Sequence, residues 1–105
     1  MLALHAVNSL EDARPRAHIA LMSHIDDCFN TLRLLIAAGD PTGMTAAKEA
    51  IERYWAATPL RARKSGLLYV QQILHDRRDK LGPQSRDFAD TLDAYFERKL
   101  GGPLE

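Results

Sequence analysis

The sequence predicts an all-α fold, a compact bundle of three to four antiparallel helices, and three observations predict it. Apolar residues recur at alternating steps of three and four over several separate stretches. Proline or glycine punctuates the gaps between those stretches, and the gaps are short, which favours antiparallel neighbours. No stretch alternates with period two for long enough to make a strand.

The longest pattern runs from Pro15 to Ala38 and organises the rest. Met22, Ile25, Phe29, Leu32 and Ile36 form one row, and Leu21, Cys28 and Leu35 a second beside it. At about 100° per residue the two rows span roughly 140°, wider than the seam of a two-stranded coiled coil. Such a helix needs more than one neighbour. Ser23, Asp26, Asp27, Asn30 and Arg33 take the opposite, wet side. Pro15 suits a first turn, and Gly39 followed by Asp40 and Pro41 supplies the stop. Ahead of this helix, residues 1–14 carry Leu2, Leu4, Val7 and Leu10, with Ser9 and Asp12 weakly resembling a capping box. They read as an arm that either packs on a neighbour or frays.

A second helix is expected over Thr45 to Ala57, with Met44, Ala47, Ile51, Tyr54 and Trp55 inward. Its small flank, Ala46, Ala50 and Ala57, would let another helix approach closely. Thr58 and Pro59 read as an N-cap and first-turn proline of a third helix, whose opening turns Gly66 leaves open. Its apolar pattern is Leu67, Val70, Ile73, Leu74 and Leu81, and Arg77, Arg78 and Lys80 suit the carbonyl end of the dipole. Gly82 and Pro83 end it. The last helix, from about Ser85, sets Phe88, Leu92, Tyr95, Phe96 and Leu100 inward and Asp87, Asp90, Asp93 and Glu97 outward. Arg98, Lys99 and Gly101 finish it. The tail, residues 101–105, closes on a Leu-Glu that reads as a cloning remnant and is left out of the fold.

At 105 residues the chain is read as one helical domain over 1–105, since a chain this size buries enough surface only in a single core. Fourteen basic residues balance fourteen acidic ones, which argues against a dedicated polyanion binder. One cysteine makes no internal disulfide, so a reducing cytoplasm is the expected location, with an intermolecular Cys28 bond left open. The apolar opening lacks the basic flank and length of a signal peptide, and no run reaches the roughly 18 apolar residues of a membrane span. Charge is uneven in place. Between Pro59 and Lys80 six basic residues face only Asp76 and Asp79, whereas acids prevail after Ser85. Such blocks can attract one another within one chain or between copies.

His24, Asp27 and Cys28, with His18 or His75 from outside, have a spacing that could converge on an ion. Asp27 and Cys28 project in different directions, so no metal site is assigned. His18 projects near the middle of the apolar arc, where a pH-sensitive contact competes with a hydrogen-bonded histidine at the core rim. The basic residues of RARKSG and HDRRDK suggest a phosphate-contacting surface. Asp76 and Asp79 interleave, and no DNA-binding signature accompanies them. Arg63 and Arg77 share the arc of Leu67, Val70 and Leu74, so the apolar strip is bracketed by arginines, as at a protein interface. The competing reading has their alkyl stems snorkel outward from the core edge.

The expectation is a small non-catalytic regulatory protein. Its partner-binding residues are Arg63, Leu67, Val70, Leu74 and Arg77, and its action is occlusion of a surface that the partner needs. A homodimer is expected through Leu21, Ile25, Cys28, Leu32 and Leu35. No catalytic residue, cofactor or metal is assigned. In size, helicity and neutral charge the whole chain resembles the small bacterial proteins that sequester transcription factors, such as quorum-sensing antiactivators. That resemblance implies a transcription regulator as the partner and transfers no residue, because no motif carries it. Two other readings stand beside it: a nucleic-acid-associated regulator using the basic helix 61–80, and a small dimeric helical enzyme.

Overall fold

The computed structural model describes residues 13–103, with side chains from residue 23 onward. The expectations for residues 1–12, for the side chains of His18, Leu21 and Met22, and for Leu104 and Glu105 lie outside the described residues. Four helices form the bundle: α1 (Ala13–Ala38), α2 (Met44–Ala57), α3 (Leu60–Asp76) and α4 (Pro83–Gly101). Three-residue 3-10 turns, Pro41–Gly43 and Arg78–Lys80, lie in the links before α2 and α4.

α1 is 26 residues long, about 39 Å at 1.5 Å per residue, and buries Ile25, Cys28, Leu32 and Ile36. It stops where glycine can adopt the left-handed region. Gly39 has φ of 64°, and its N–H donates to the Leu35 carbonyl at 3.1 Å. Asp40 then accepts from the Thr42 N–H at 3.0 Å, which caps the first 3-10 turn. α1 and α2 run antiparallel. Leu35 packs over Gly43, and a turn or two further in both directions Cys28 and Thr31 border the same groove as Ala50 and Tyr54.

α2 buries Ala47, Ala50, Ile51, Tyr54 and Trp55. Of its small flank only Ala50 is covered; Ala46 and Ala57 are exposed. The close helix approach occurs instead at Gly66 in the interior of α3, where an added Cβ would overlap the Tyr54 hydroxyl and lie 3.0 Å from Tyr54 Cζ. Gly66 therefore does not interrupt α3. It is the position at which Tyr54 reaches the α3 backbone, donating to the carbonyls of Ala62 (3.3 Å) and Arg63 (3.2 Å).

Thr58 is not the N-cap of α3. It is the C-cap of α2, buried, and its hydroxyl donates back to the Tyr54 carbonyl at 2.6 Å. Pro59 takes the N-cap position of α3 without a side-chain hydrogen bond. α3 also ends sooner than the apolar pattern suggested. Arg77 is its C-cap, and Leu81 lies beyond the second 3-10 turn in extended backbone while still packing on the core.

α4 buries Phe88, Leu92 and Phe96, with Tyr95 and Leu100 packed at the core edge. Its contacts define its direction. Arg78 meets Asp90 and Gln71 meets Asp93 and Glu97, so α3 and α4 are antiparallel. Lys48 lies by Tyr95 and Trp55 by Lys99, so α2 and α4 run the same way. Ser85 Oγ donates to the Ala37 carbonyl at 3.2 Å and fastens the start of α4 to the end of α1. Among the described residues no helix is long and apolar enough to cross a membrane.

Candidate interaction surface

Leu67 and Val70 are fully enclosed, and Leu74 is half-buried against the same core. The apolar strip first expected to meet a partner is the inner side of α3. Its arginines do bracket it, as lids. The Arg63 guanidinium lies 5.8 Å from the Trp55 ring centre and its Nε donates to the Thr58 carbonyl at 2.8 Å. Arg77 lies 5.0 Å from the Phe29 ring centre at the other end. The stems and planar heads thus cover aromatic edges of the core.

The dimer candidates on α1 are redistributed in the same way. Ile25, Cys28 and Leu32 face the chain's own interior, and Leu35 is half-buried over Gly43. A second copy could reach these three only if α2 to α4 moved aside. The wide apolar arc is used within one chain, because three other helices pack on it.

Outside the core, four large apolar side chains are exposed among the described residues: Leu34 (60%), Leu60 (50%), Leu68 (43%) and Tyr69 (51%). Leu34 stands alone on the wet side of α1, among Asn30, Arg33 and Ala37, all exposed. The other three are on α3. Leu68 and Tyr69 sit mid-helix, with Ser65 a turn before and Gln72 a turn after, and Arg61 and Asp76 close the two ends of this outward side. The sequence reading names only the row containing Leu67 and leaves these two residues out. A helical wheel centred on that row places Leu68 and Tyr69 away from it, and that signal was available.

Beside this strip runs a groove of about 500 Å³ between α3 and α4, walled by Leu68, Gln72, His75 and Asp76 on one side and Asp93 and Glu97 on the other. Gln71 is buried at its floor and donates through one amide nitrogen to Asp93 (2.8 Å) and Glu97 (2.7 Å). Arg78 closes the end with a forked pair of bonds to Asp90 at 2.8 and 2.9 Å. That bonding holds the Asp90 carboxyl below its ordinary value and raises Arg78. Of the acids expected outward on α4, Asp87, Asp90 and Glu97 are exposed and Asp93 is half-buried, and Asp93 and Glu97 both accept from Gln71.

Across the bundle Glu52 links α2 to α4, accepting from the Tyr95 hydroxyl and from Lys99 Nζ at 2.8 Å. Burial pushes Glu52 upward, but the hydrogen bonds and the Lys99 charge outweigh it and its carboxyl sits low. Burial, then the bond to Glu52 and its charge, pushes the Tyr95 phenol up to about 12. Lys99 also lies 4.8 Å from the Trp55 ring centre.

His24, Asp27 and Cys28 do border one groove of about 580 Å³ between α1 and α2, together with Arg53 and Tyr54. The chemistry is quiet. Burial pushes the Cys28 thiol up to about 12, with Arg53 pulling weakly the other way, so it stays protonated at neutral pH. Among the described residues no group of three or more His, Cys, Asp and Glu could hold a metal ion. Three of the six basic residues between Pro59 and Lys80 are engaged within the chain: Arg63 lies over Trp55, Arg77 over Phe29, and Arg78 on Asp90. No protein family, curated protein or solved structure matches the chain.

Proposed function

We propose that this chain is a non-catalytic regulatory protein that binds another protein through the outer side of α3 and blocks the assembly or activity of that partner. The observation that carries this reading is the placement of the exposed apolar residues. Three of the four lie on α3, and two of these, Leu68 and Tyr69, are adjacent on its outer side, with Arg61 and Asp76 at either end of that side. A half-exposed leucine and tyrosine side by side within a charged rim suit a partner groove lined with apolar side chains. Binding there would cover a hydrophobic surface of the partner, in the manner of an antiactivator acting on a transcription factor. The engagement of Arg63, Arg77 and Arg78 by Trp55, Phe29 and Asp90 within the chain supports a protein partner over a polyanion.

The test is affinity capture from cells with three immobilised forms: wild type, Leu68→Glu/Tyr69→Glu and Leu34→Glu. All three should fold alike, because every altered residue is exposed. A heterologous protein held by the wild type and by Leu34→Glu and lost from the double variant is the expected result. Equal retention by all three, or none by any, overturns the reading.

A further inference from the structure

The outer strip of α3 is complementary to itself. Arg61 stands near its beginning, Leu68 and Tyr69 at its middle and Asp76 at its end, all exposed. Arg61 and Asp76 are about 22 Å apart along the axis at 1.5 Å per residue, and their midpoint falls between Leu68 and Tyr69. Rotating a second copy by a half-turn about that midpoint makes its α3 run antiparallel to the first. Arg61 of each copy then comes level with Asp76 of the other, Ser65 with Gln72, and Leu68 with Tyr69. A two-fold contact repeats every pairing, so one favourable ion pair becomes two.

The lateral arrangement agrees. Lys64 is two turns before Gln71 on the same side of α3, the side toward α4. The half-turn keeps both copies of α4 on one side of the α3 pair. Lys64 of each copy therefore approaches the acidic wall, Asp93 and Glu97, of the other copy's groove. The salt bridges among described residues join Arg78 to Asp90 and Lys99 to Glu52, and Arg61, Lys64 and Asp76 stand outside them. Moving the two-fold by one helical turn would set Arg61 against Tyr69 or beyond the end of α3, so charge favours this register.

We infer that a second copy of this chain docks on the outer strip as an antiparallel, two-fold α3 pair, with Leu68 and Tyr69 at its centre. The inference rests on the outer strip of α3 being an interface, as proposed above, and makes a second copy its occupant when no foreign partner is bound. Self-association and partner binding are then mutually exclusive, so dissociation of the pair is what frees the binding face.

The experiment is light scattering on the purified full chain across dilution, for the wild type, Arg61→Glu, Asp76→Arg and the double variant. Both substitutions suit the dipole of α3, an acid near its start and a base near its end, so helicity by circular dichroism stays level. Each single change turns two attractions into two repulsions. The expected result is a wild-type dimer that weakens with salt, single variants weakened by about tenfold or more, and a double variant restored to within about threefold. A monomer at every concentration overturns the inference, as does a dimer that ignores the single changes or fails to recover in the double variant. A monomeric wild type that still holds a heterologous protein through Leu68 and Tyr69 overturns the dimer alone. The charge-swap pattern without any heterologous capture overturns the proposed function alone.

Discussion

Single residues set how tightly the helices approach. Gly66 is the clearest case, because the Tyr54 hydroxyl occupies the space a Cβ would need and Tyr54 is itself buried. Gly66→Ala should cost about 1–3 kcal/mol in denaturant unfolding, and adding Tyr54→Phe should recover part of the loss by removing the overlapping oxygen. A neutral Gly66→Ala would contradict this packing. Tyr95 offers a spectroscopic counterpart. Its phenol is raised from 10.0 to about 12, so its tie to Glu52 is fully present below pH 10 and is lost as the pH rises through about 12. Glu52→Gln should lower the last phenol transition in an absorbance titration, and an unchanged curve would contradict the contact. Cys28, buried and protonated, should react with a thiol reagent far more slowly in the folded protein than in denaturant. Equal rates would contradict its burial.

At the scale of elements, the sequence made the inward faces legible almost residue by residue. Ile25, Cys28, Leu32 and Ile36 on α1 and Phe88, Leu92 and Phe96 on α4 obey the 3.6-residue period, and burial follows that period directly. The function of an arginine in an apolar strip was not legible. Arg63 and Arg77 fit an interface or a lid equally well by spacing alone, and only the aromatic rings of Trp55 and Phe29 beneath them decide it. Those rings come from other helices. The same limit explains Thr58, whose hydroxyl could serve the helix before or after it and turns to the Tyr54 carbonyl. Between α3 and α4, the Arg78–Asp90 clamp gives a pH prediction. Asp90 lies below its ordinary 3.8 because Arg78 hydrogen-bonds its ionised form, so the clamp acts at neutral pH and is lost as the pH falls through that lowered value. The wild type should therefore be more stable than Asp90→Asn at pH 7, with the gap closing in strong acid and in high salt. A gap that widens in acid would reverse the assigned sign.

At the scale of the molecule, the described residues share one enclosed core, and α3 carries three of the four exposed large apolar side chains among them. Leu32 is fully enclosed, and Leu32→Ala should cost about 2–5 kcal/mol, while Leu34→Ala two positions on should stay within about 0.5 kcal/mol. The contrast separates apolar residues that hold the fold from those left over. On α3 two of the leftover residues, Leu68 and Tyr69, are adjacent and rimmed by charge, and their use as an interface is the central claim. The most direct test places a photoreactive amino acid at Leu68, with Leu34 as the matched exposed control, and irradiates cells making the protein. The account predicts a crosslink to a heterologous protein from position 68 and none from position 34, alongside a self-adduct from position 68. Equal crosslinking from both positions, or none from position 68, would contradict it.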